Sequence, residues 1–385
     1  MKTDAIIVGS GIIGMSLAII LSKNNKKTII IEKNLSNNLN NRRVYALSEK
    51  TKSFFESISI WENISNINQL DEMSLHYRNY ITDDALSFKR IDSQKNIGYI
   101  GESNNIMKAL IEKIEHDKNI KLYDNCSVDE ISNHLNNLEI TTTNKNTIKS
   151  KYLFSCDGSK SGIKKHLGLN NQYDYYDSKA KVFNIKHEKS NKKTATQIFL
   201  QSGPVAFLPL TLNESSMVVS IKNKFNSEEF SEDNICGFLE KITNNSFGKI
   251  ELNSKILSFD LVGFDSESYI SGNTVFVGDS AHSVHPLAGM GLNLGISDVI
   301  EIDKAIKGSH QIFGDKNFFS GYARKQKIVN KKARQQLKII EKVYSLENNA
   351  IMQIIKFGMK NIQKSTFLKE KIIKHANNNL SIFQN

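Results

Sequence analysis

Six residues near the N-terminus, Gly9-Ser10-Gly11-Ile12-Ile13-Gly14, have the types and spacing of a turn that holds a pyrophosphate. Gly9 permits a tight turn, Gly11 lets the backbone approach the phosphates, and Gly14 lets a helix pack closely on a strand. Ile12 and Ile13 open that helix, whose free N–H groups and positive dipole end attract an anion. Glu32 closes the next apolar run, eighteen residues after Gly14, and Lys33 follows it. A carboxylate there accepts hydrogen bonds from a ribose with a free 2′-hydroxyl. The turn by itself suits either a nicotinamide or a flavin dinucleotide.

A second constellation lies near residue 280. Val275-Phe276-Val277 reads as a short buried strand, followed by Gly278-Asp279-Ser280-Ala281-His282 and then Ser283-Val284-His285-Pro286-Leu287-Ala288-Gly289-Met290-Gly291-Leu292-Asn293-Leu294-Gly295. Asp279 falls at the C-terminal end of a strand, where ligands bind in open α/β sheets, and its carboxylate can accept bonds from a sugar-chain hydroxyl. Pro286 would fix the backbone beside a flat ring, and Gly289 and Gly291 allow close approach. A helix from about Leu292 would aim its N-terminal dipole at an electron-rich ring edge. His282 and His285 are candidate proton carriers, read alternatively as packing or surface histidines.

The elements that position these residues follow from hydrophobic period. Asp4–Val8 and Thr28–Ile31 are short apolar runs around a helix over Ile12–Leu21, which makes one βαβ unit. Helical spacing returns over Asn105–His116. Leu138–Thr142 and Thr147–Tyr152 alternate as a hairpin, with Asn144-Lys145-Asn146 at its turn, and Tyr152–Ser155 leads into Cys156-Asp157-Gly158. From about Ser178 to Phe259 strand-like runs dominate: Ala180–Lys186, Ala195–Leu200, Val205–Leu210 and Ser216–Ile221. After Phe318 the chain reads as helix.

Composition sets limits on the function class. The chain has 385 residues, long enough for two intimate domains, with 39% hydrophobic and 24% charged residues. The net charge of +11 is concentrated in the C-terminal segment: residues 316–376 hold fifteen Lys or Arg against three acids, a local charge of +12, so the rest is near −1. No recognised module carries this excess, so nucleic acid is not an expected partner. The three cysteines, Cys126, Cys156 and Cys236, match no metal spacing and suit a reducing cytoplasm. The apolar run Ala5–Leu21 after Lys2 mimics a signal peptide, but three glycines interrupt it and no cleavage site follows. Ile339, Val343, Leu346, Ala350, Ile354 and Phe357 recur at helical spacing among lysines. That face suits an anionic membrane or a lipid-bearing complex, or packing on the body of the protein.

With these residues in hand, the chain resembles the class A flavin-dependent aromatic hydroxylases, and within them the ubiquinone-biosynthesis hydroxylases. Four segments carry the resemblance: Gly9–Gly14, Arg43-Val44-Tyr45-Ala46-Leu47-Ser48, Cys156-Asp157-Gly158 with Ser161, and Gly278 to Asp298. The resemblance implies an α/β fold. Its parts would be a discontinuous Rossmann-like FAD-binding domain of the aromatic-hydroxylase type (1–75, 96–177, 259–330), a β-sheet substrate domain (76–95, 178–258) and basic C-terminal helices (331–385). It implies that Arg43, Asp157 and Gly158 lie at the cofactor, that Asp279 holds the ribityl chain, and that Pro286, Gly289, Met290, Gly291, Leu292 and Asn293 line the isoalloxazine. Val205, Phe207 and Pro209 would face the substrate. Two positions depart from the pattern. Met290 stands where the family usually has Gln, and Glu102-Ser103-Asn104 stands where it usually has Glu-Asn-Arg, so Asn104 replaces a cofactor-contacting arginine.

The activity implied is hydroxylation of a polyprenylated phenol with O2 as co-substrate and NAD(P)H as electron donor, in the cytoplasm and at the periphery of the inner membrane. FAD carries the redox chemistry in such enzymes, which accords with finding no catalytic triad, metal cluster or paired carboxylates; the catalytic residues stay unassigned, with His285 and Pro286 as candidates. Alternatives within the same fold are a soluble phenol hydroxylase, an isoprenoid reductase or a non-catalytic flavoprotein assembly subunit. A halogenase is disfavoured by the single Trp61.

Overall fold

The computed structural model describes residues 1–40, 43–77, 85–89, 97–134, 137–225, 228–283, 289–345 and 349–377. Its first layer is a six-stranded sheet. Ala5–Val8 lies at its centre, flanked in parallel by Thr28–Ile31 and Tyr152–Ser155, with Ile120–Tyr123 and Thr274–Phe276 outside them. These strands are apolar at nearly every position because both faces are covered. Ala5, Ile7 and Ile30 pack with the helices Ile12–Lys23, Ser103–Glu115 and Met290–Gly308. Ile6, Ile29 and Ile31 pack on the antiparallel strands Leu138–Thr142 and Thr147–Ser150.

The second layer is a nine-stranded sheet drawn from separate stretches of the chain. Its strands include Glu72–Tyr77, Leu86–Lys89, Asn171–His187, Thr194–Leu200, Gly203–Pro209, Glu214–Lys222 and Leu257–Ser266. The run expected as Ala180–Lys186 is the C-terminal part of a 17-residue strand, Asn171–His187. A register shift between Tyr175 and Lys179 breaks its pattern. One face of this sheet buries Phe183, Ile185, Val205, Phe207, Met217 and Val219 against the helix Ile235–Ile242. Phe207 stacks on Phe247 there, with ring centroids 5.0 Å apart and 4° between planes.

A third layer is helical. Ser320–Ser345 crosses both sheets: Tyr322 Oη donates to the carbonyl of Phe276 at 2.9 Å, and Asn330 Nδ2 donates to Tyr269 Oη at 3.1 Å. Arg334 pairs with Asp174 and, at 3.3 Å, with Asp265, while Lys338 reaches Asp174 at 2.8 Å. The apolar recurrence from Ile339 to Phe357 is divided between this helix and the next, Asn349–Lys364. Leu346, within that recurrence, lies outside the described residues.

Phe207 therefore belongs to the folding core. Phe207→Ala should lower the unfolding free energy by about 3–5 kcal/mol in denaturant melts, while FAD content per folded molecule stays at the wild-type level. Loss of FAD without loss of stability would contradict this placement.

Candidate active site

Between the two sheets lies a cavity of about 1520 Å³. It is lined by the glycine turn and Glu32, by Arg43, Tyr45, Ser103 and Asp279, and by one face of the nine-stranded sheet.

The turn shows which glycine serves the protein and which serves a ligand. A Cβ on Gly14 would sit 2.0 Å from the carbonyl oxygen of Gly9, so helix and strand touch through that hydrogen. A Cβ on Gly11 would meet nothing within 4 Å and would project into the cavity. Gly11 leaves room for something the protein does not itself supply. Gly158, at φ +79°, also faces open space. Glu32 is held ready beside the turn: its Oε2 accepts from Ser10 N at 2.7 Å, Ser10 Oγ at 2.8 Å and Asn38 Nδ2 at 3.1 Å. Its Oε1 accepts from Asn34 N at 2.9 Å. Asp157 stands beside the turn, its Cα 3.0 Å from where a Cβ on Gly9 would sit, and it accepts from Ser155 Oγ at 2.6 Å and Ser161 Oγ at 2.9 Å.

Asp279 turns its carboxyl group into the cavity. The side chain is open to the cavity, and desolvation by the surrounding walls holds its pKa above the usual carboxylate range, opposed by His282 and Arg43 and reinforced by Asp298. Burial likewise raises the Tyr45 phenol, with Arg43 and Ser103 opposing and Asp279 reinforcing. Behind the Gly278–Asp279 turn is a buried polar pair, with His282 Nε2 2.7 Å from Asp298 Oδ2. The same oxygen accepts from Gly278 N at 2.8 Å. Burial works to lower the His282 pKa, but the Asp298 carboxylate outweighs it and holds the imidazole above its ordinary value.

The floor of the cavity follows from strand register. Leu257, Val182, Val218, Ala206 and Gln197 pair in one row across five strands. Asn184, Ser216 and Leu208 pair in the next, and Ala195 pairs with Met73 alongside. All ten line the cavity, and neither row contributes an ionisable side chain.

Of the residues singled out from sequence, Gly9, Gly11, Ile12, Ile13, Glu32, Lys33, Arg43, Asp157, Gly158, Asp279, Gly289, Met290, Gly291 and Leu292 border this one cavity. Gly14 and Gly278 lie just behind it and shape the turns. Asn293 is a clamp: its Oδ1 accepts from Ser48 N at 3.0 Å and its Nδ2 donates to the carbonyl of Ala46 at 2.8 Å. Asn104 borders a separate recess with Leu39, Asn40 and Lys108. Its neighbour Ser103 faces the cavity instead, since successive helical residues point about 100° apart. Met290, 8% exposed, also packs with Tyr77, Leu294, Ala333 and Leu337, contacts that suit a thioether. Val205, Phe207 and Pro209 share the sheet face turned away from the cavity; Ala206 and Leu208, each one residue along, form the floor. His285 and Pro286 lie outside the described residues.

Comparison with known proteins identifies this arrangement. Residues 2–335 match the family described as FAD binding domain. The chain belongs to that family and is a class A flavin-dependent monooxygenase. It is 24% identical to the ubiquinone biosynthesis monooxygenase COQ6 of Dictyostelium discoideum, over 96% of this chain and 90% of that protein. It is 22% identical to the ubiquinone hydroxylase UbiL of Rhodospirillum rubrum, over 98% and 90%. Its fold superposes on the crystal structure of p-nitrophenol 4-monooxygenase PnpA from Pseudomonas putida with a TM-score of 0.83, at 13% identity over 98% of both chains. The open space before Gly11 and Gly158, with Glu32 and Asp279 facing the same cavity, fits FAD.

Two outcomes follow. Gly11→Ala should fold with wild-type stability yet bind FAD at least about tenfold more weakly by fluorescence titration, whereas Gly14→Ala should lose folded protein. The His282–Asp298 pair should contribute most stability below about pH 6.5 and less as pH rises through the raised His282 value. The stability gap between wild type and His282→Gln, from denaturant melts, should then be wider near about pH 6 than near about pH 9. A gap constant with pH would remove the charge from this account.

Proposed function

We propose that this enzyme hydroxylates the aromatic ring of a polyprenylated phenol in ubiquinone biosynthesis, at a membrane surface, with O2 as oxygen source and NAD(P)H as electron donor. The observation that carries this reading is the shape and chemistry of the floor. Its five-strand row, Leu257 to Gln197, spans roughly 19 Å at ordinary strand spacing, longer than a phenol ring needs, and most of its side chains are apolar. The names of the relatives point to the same substrate class.

When bound, FAD supplies the redox chemistry. The chain's own residues do the rest. Glu32 takes the ribose hydroxyls and the N-terminus of Ile12–Lys23 takes the pyrophosphate. Asp279 takes a hydroxyl of the ribityl chain, within reach of Arg43 and Tyr45. The N-terminus of Met290–Gly308 opens on the cavity through Met290, Gly291 and Leu292 and favours negative charge there. The floor orients the ring and keeps water out. Asn184, Ser216 and Gln197 are the floor's polar groups, suited to holding a phenolic hydroxyl without moving its proton.

The test is to compare substrates with long and short prenyl tails in the purified, FAD-loaded enzyme. Val218→Trp should raise KM for the long-tailed phenol about tenfold or more and leave the short-tailed one nearly unchanged. Equal effects on both would favour a tail-free phenol as substrate. Absence of hydroxylated product from either phenol would overturn the reading.

A further inference from the structure

The helices after Ser320–Ser345 carry two apolar faces where one suffices to hold them. On one side of Asn349–Lys364, Ile355 and Met359 pack with the cluster of Tyr77, Met290 and Leu337. Gln363 Oε1 there accepts from Ser87 N at 2.9 Å. On the other side Ile354 and Phe357 are 68% and 67% exposed. Phe357 lies about 200° round the helix from Met359, so the buried and exposed apolar groups are on opposite flanks. The next helix, Thr366–Asn377, continues the pattern with Phe367, Leu368 and Ile372 exposed. Single exposed apolar residues are ordinary on a protein surface, but five on adjoining helices mark a contact surface.

The charge around this surface selects its partner. Residues 349–377 hold six lysines and one glutamate, a net charge of +5. Lys356, Lys360, Lys364 and Lys371 are exposed, and none pairs with a carboxylate among the described residues. Lys371 Nζ lies 4.9 Å from the ring centre of Phe367, its stem along the apolar surface and its ammonium group at the rim. A second copy docking face to face would bring +5 against +5. An apolar centre inside a cationic rim instead complements hydrocarbon beneath anionic headgroups. No helix of the described chain is long and apolar enough to cross a membrane, so the contact is with a surface. The cluster that seats the first helix contains Met290, a residue of the cavity wall, so the docking face and the active site share one helical layer.

We propose that the exposed face of Asn349–Lys364 and Thr366–Asn377 docks on an anionic phospholipid surface. Ile354, Phe357, Phe367 and Leu368 enter the headgroup boundary and the flanking lysines bind lipid phosphates. This rests on the membrane-surface part of the reading above and is independent of which phenol is hydroxylated.

Flotation of the full-length, FAD-loaded protein with vesicles tests it. Wild type should rise with phosphatidylcholine–phosphatidylglycerol vesicles at low salt and stay behind with phosphatidylcholine alone. Phe357→Ser with Phe367→Ser should abolish flotation, and Lys360→Gln with Lys364→Gln should weaken partitioning about five-fold per lysine. Both variants should keep wild-type FAD absorbance and melting temperature. Failure of wild type to float, or flotation of the Phe variant at the wild-type level, would overturn the proposal. So would a concentration-dependent dimer that the Phe variant abolishes. Turnover of a short, water-soluble phenol is followed in the same samples: its absence in wild type would count against the hydroxylase reading and leave the docking result standing.

Discussion

The buried carboxylate of Asp298 is the constraint on which the site depends. It is fully shielded, and one oxygen receives both the Gly278 amide and the His282 ring. The other oxygen has no hydrogen-bond partner among the described residues. A lone buried acidic side chain is costly, and the bond to the His282 ring offsets that cost. The arrangement fixes the backbone at Gly278, and Asp279 is thereby turned toward the cavity. His282, far from being a proton carrier in the cavity, is spent on this support. Its ring stacks near Tyr269, with centroids 5.9 Å apart, and Tyr269 Oη donates to Asp265. Asp265 pairs in turn with Arg334. One chain of polar and ring contacts thus runs from the cofactor turn to the helix that straps the two sheets together.

Much of this was legible in the sequence wherever spacing encodes geometry. The glycine turn, Glu32 and the stretch from Gly278 to Asp298 have fixed intervals because a dinucleotide has fixed dimensions, and their positions around one cavity follow. Strand existence was readable for runs such as Ala5–Val8, Thr28–Ile31, Thr194–Leu200 and Glu214–Lys222, but not for Glu72–Tyr77, Ile120–Tyr123 or Leu257–Ser266. Strand parity was not. In Gly203–Pro209 both faces are apolar, one against a helix and one against the cavity. Alternation therefore gives no sign of which set faces which way, and Val205 and Phe207 look as suitable as Ala206 and Leu208. The same one-residue ambiguity separates Ser103 from Asn104 at a helix start. Ser103 could have been found by asking which residue of the first turn shares a face with the buried Ile106 and Met107.

The apparent departures from the family pattern acquire physical reasons. Met290 is at once cavity wall and core, and a flexible thioether satisfies both roles better than an amide would. Asn104 points into a different recess, so the loss of an arginine there leaves the cavity lining to Ser103, Arg43 and Tyr45. The basic tail divides in function as well. Arg334 and Lys338 are committed to Asp174 inside the protein, whereas Lys356, Lys360, Lys364 and Lys371 have no acidic partner among the described residues.

The two faces of the nine-stranded sheet separate two kinds of heredity. Phe207, Val219 and Phe183 face the helix side and hold the layer together; Ala206, Val218 and Val182, their immediate neighbours, face the cavity. A change in the first set alters whether the chain folds. A change in the second alters what fits above the floor, at small cost to the core. Substrate preference in such a scaffold can therefore drift by alternate residues along each strand while the architecture stays still, and relatives with low overall identity can keep the same shape while differing in diet.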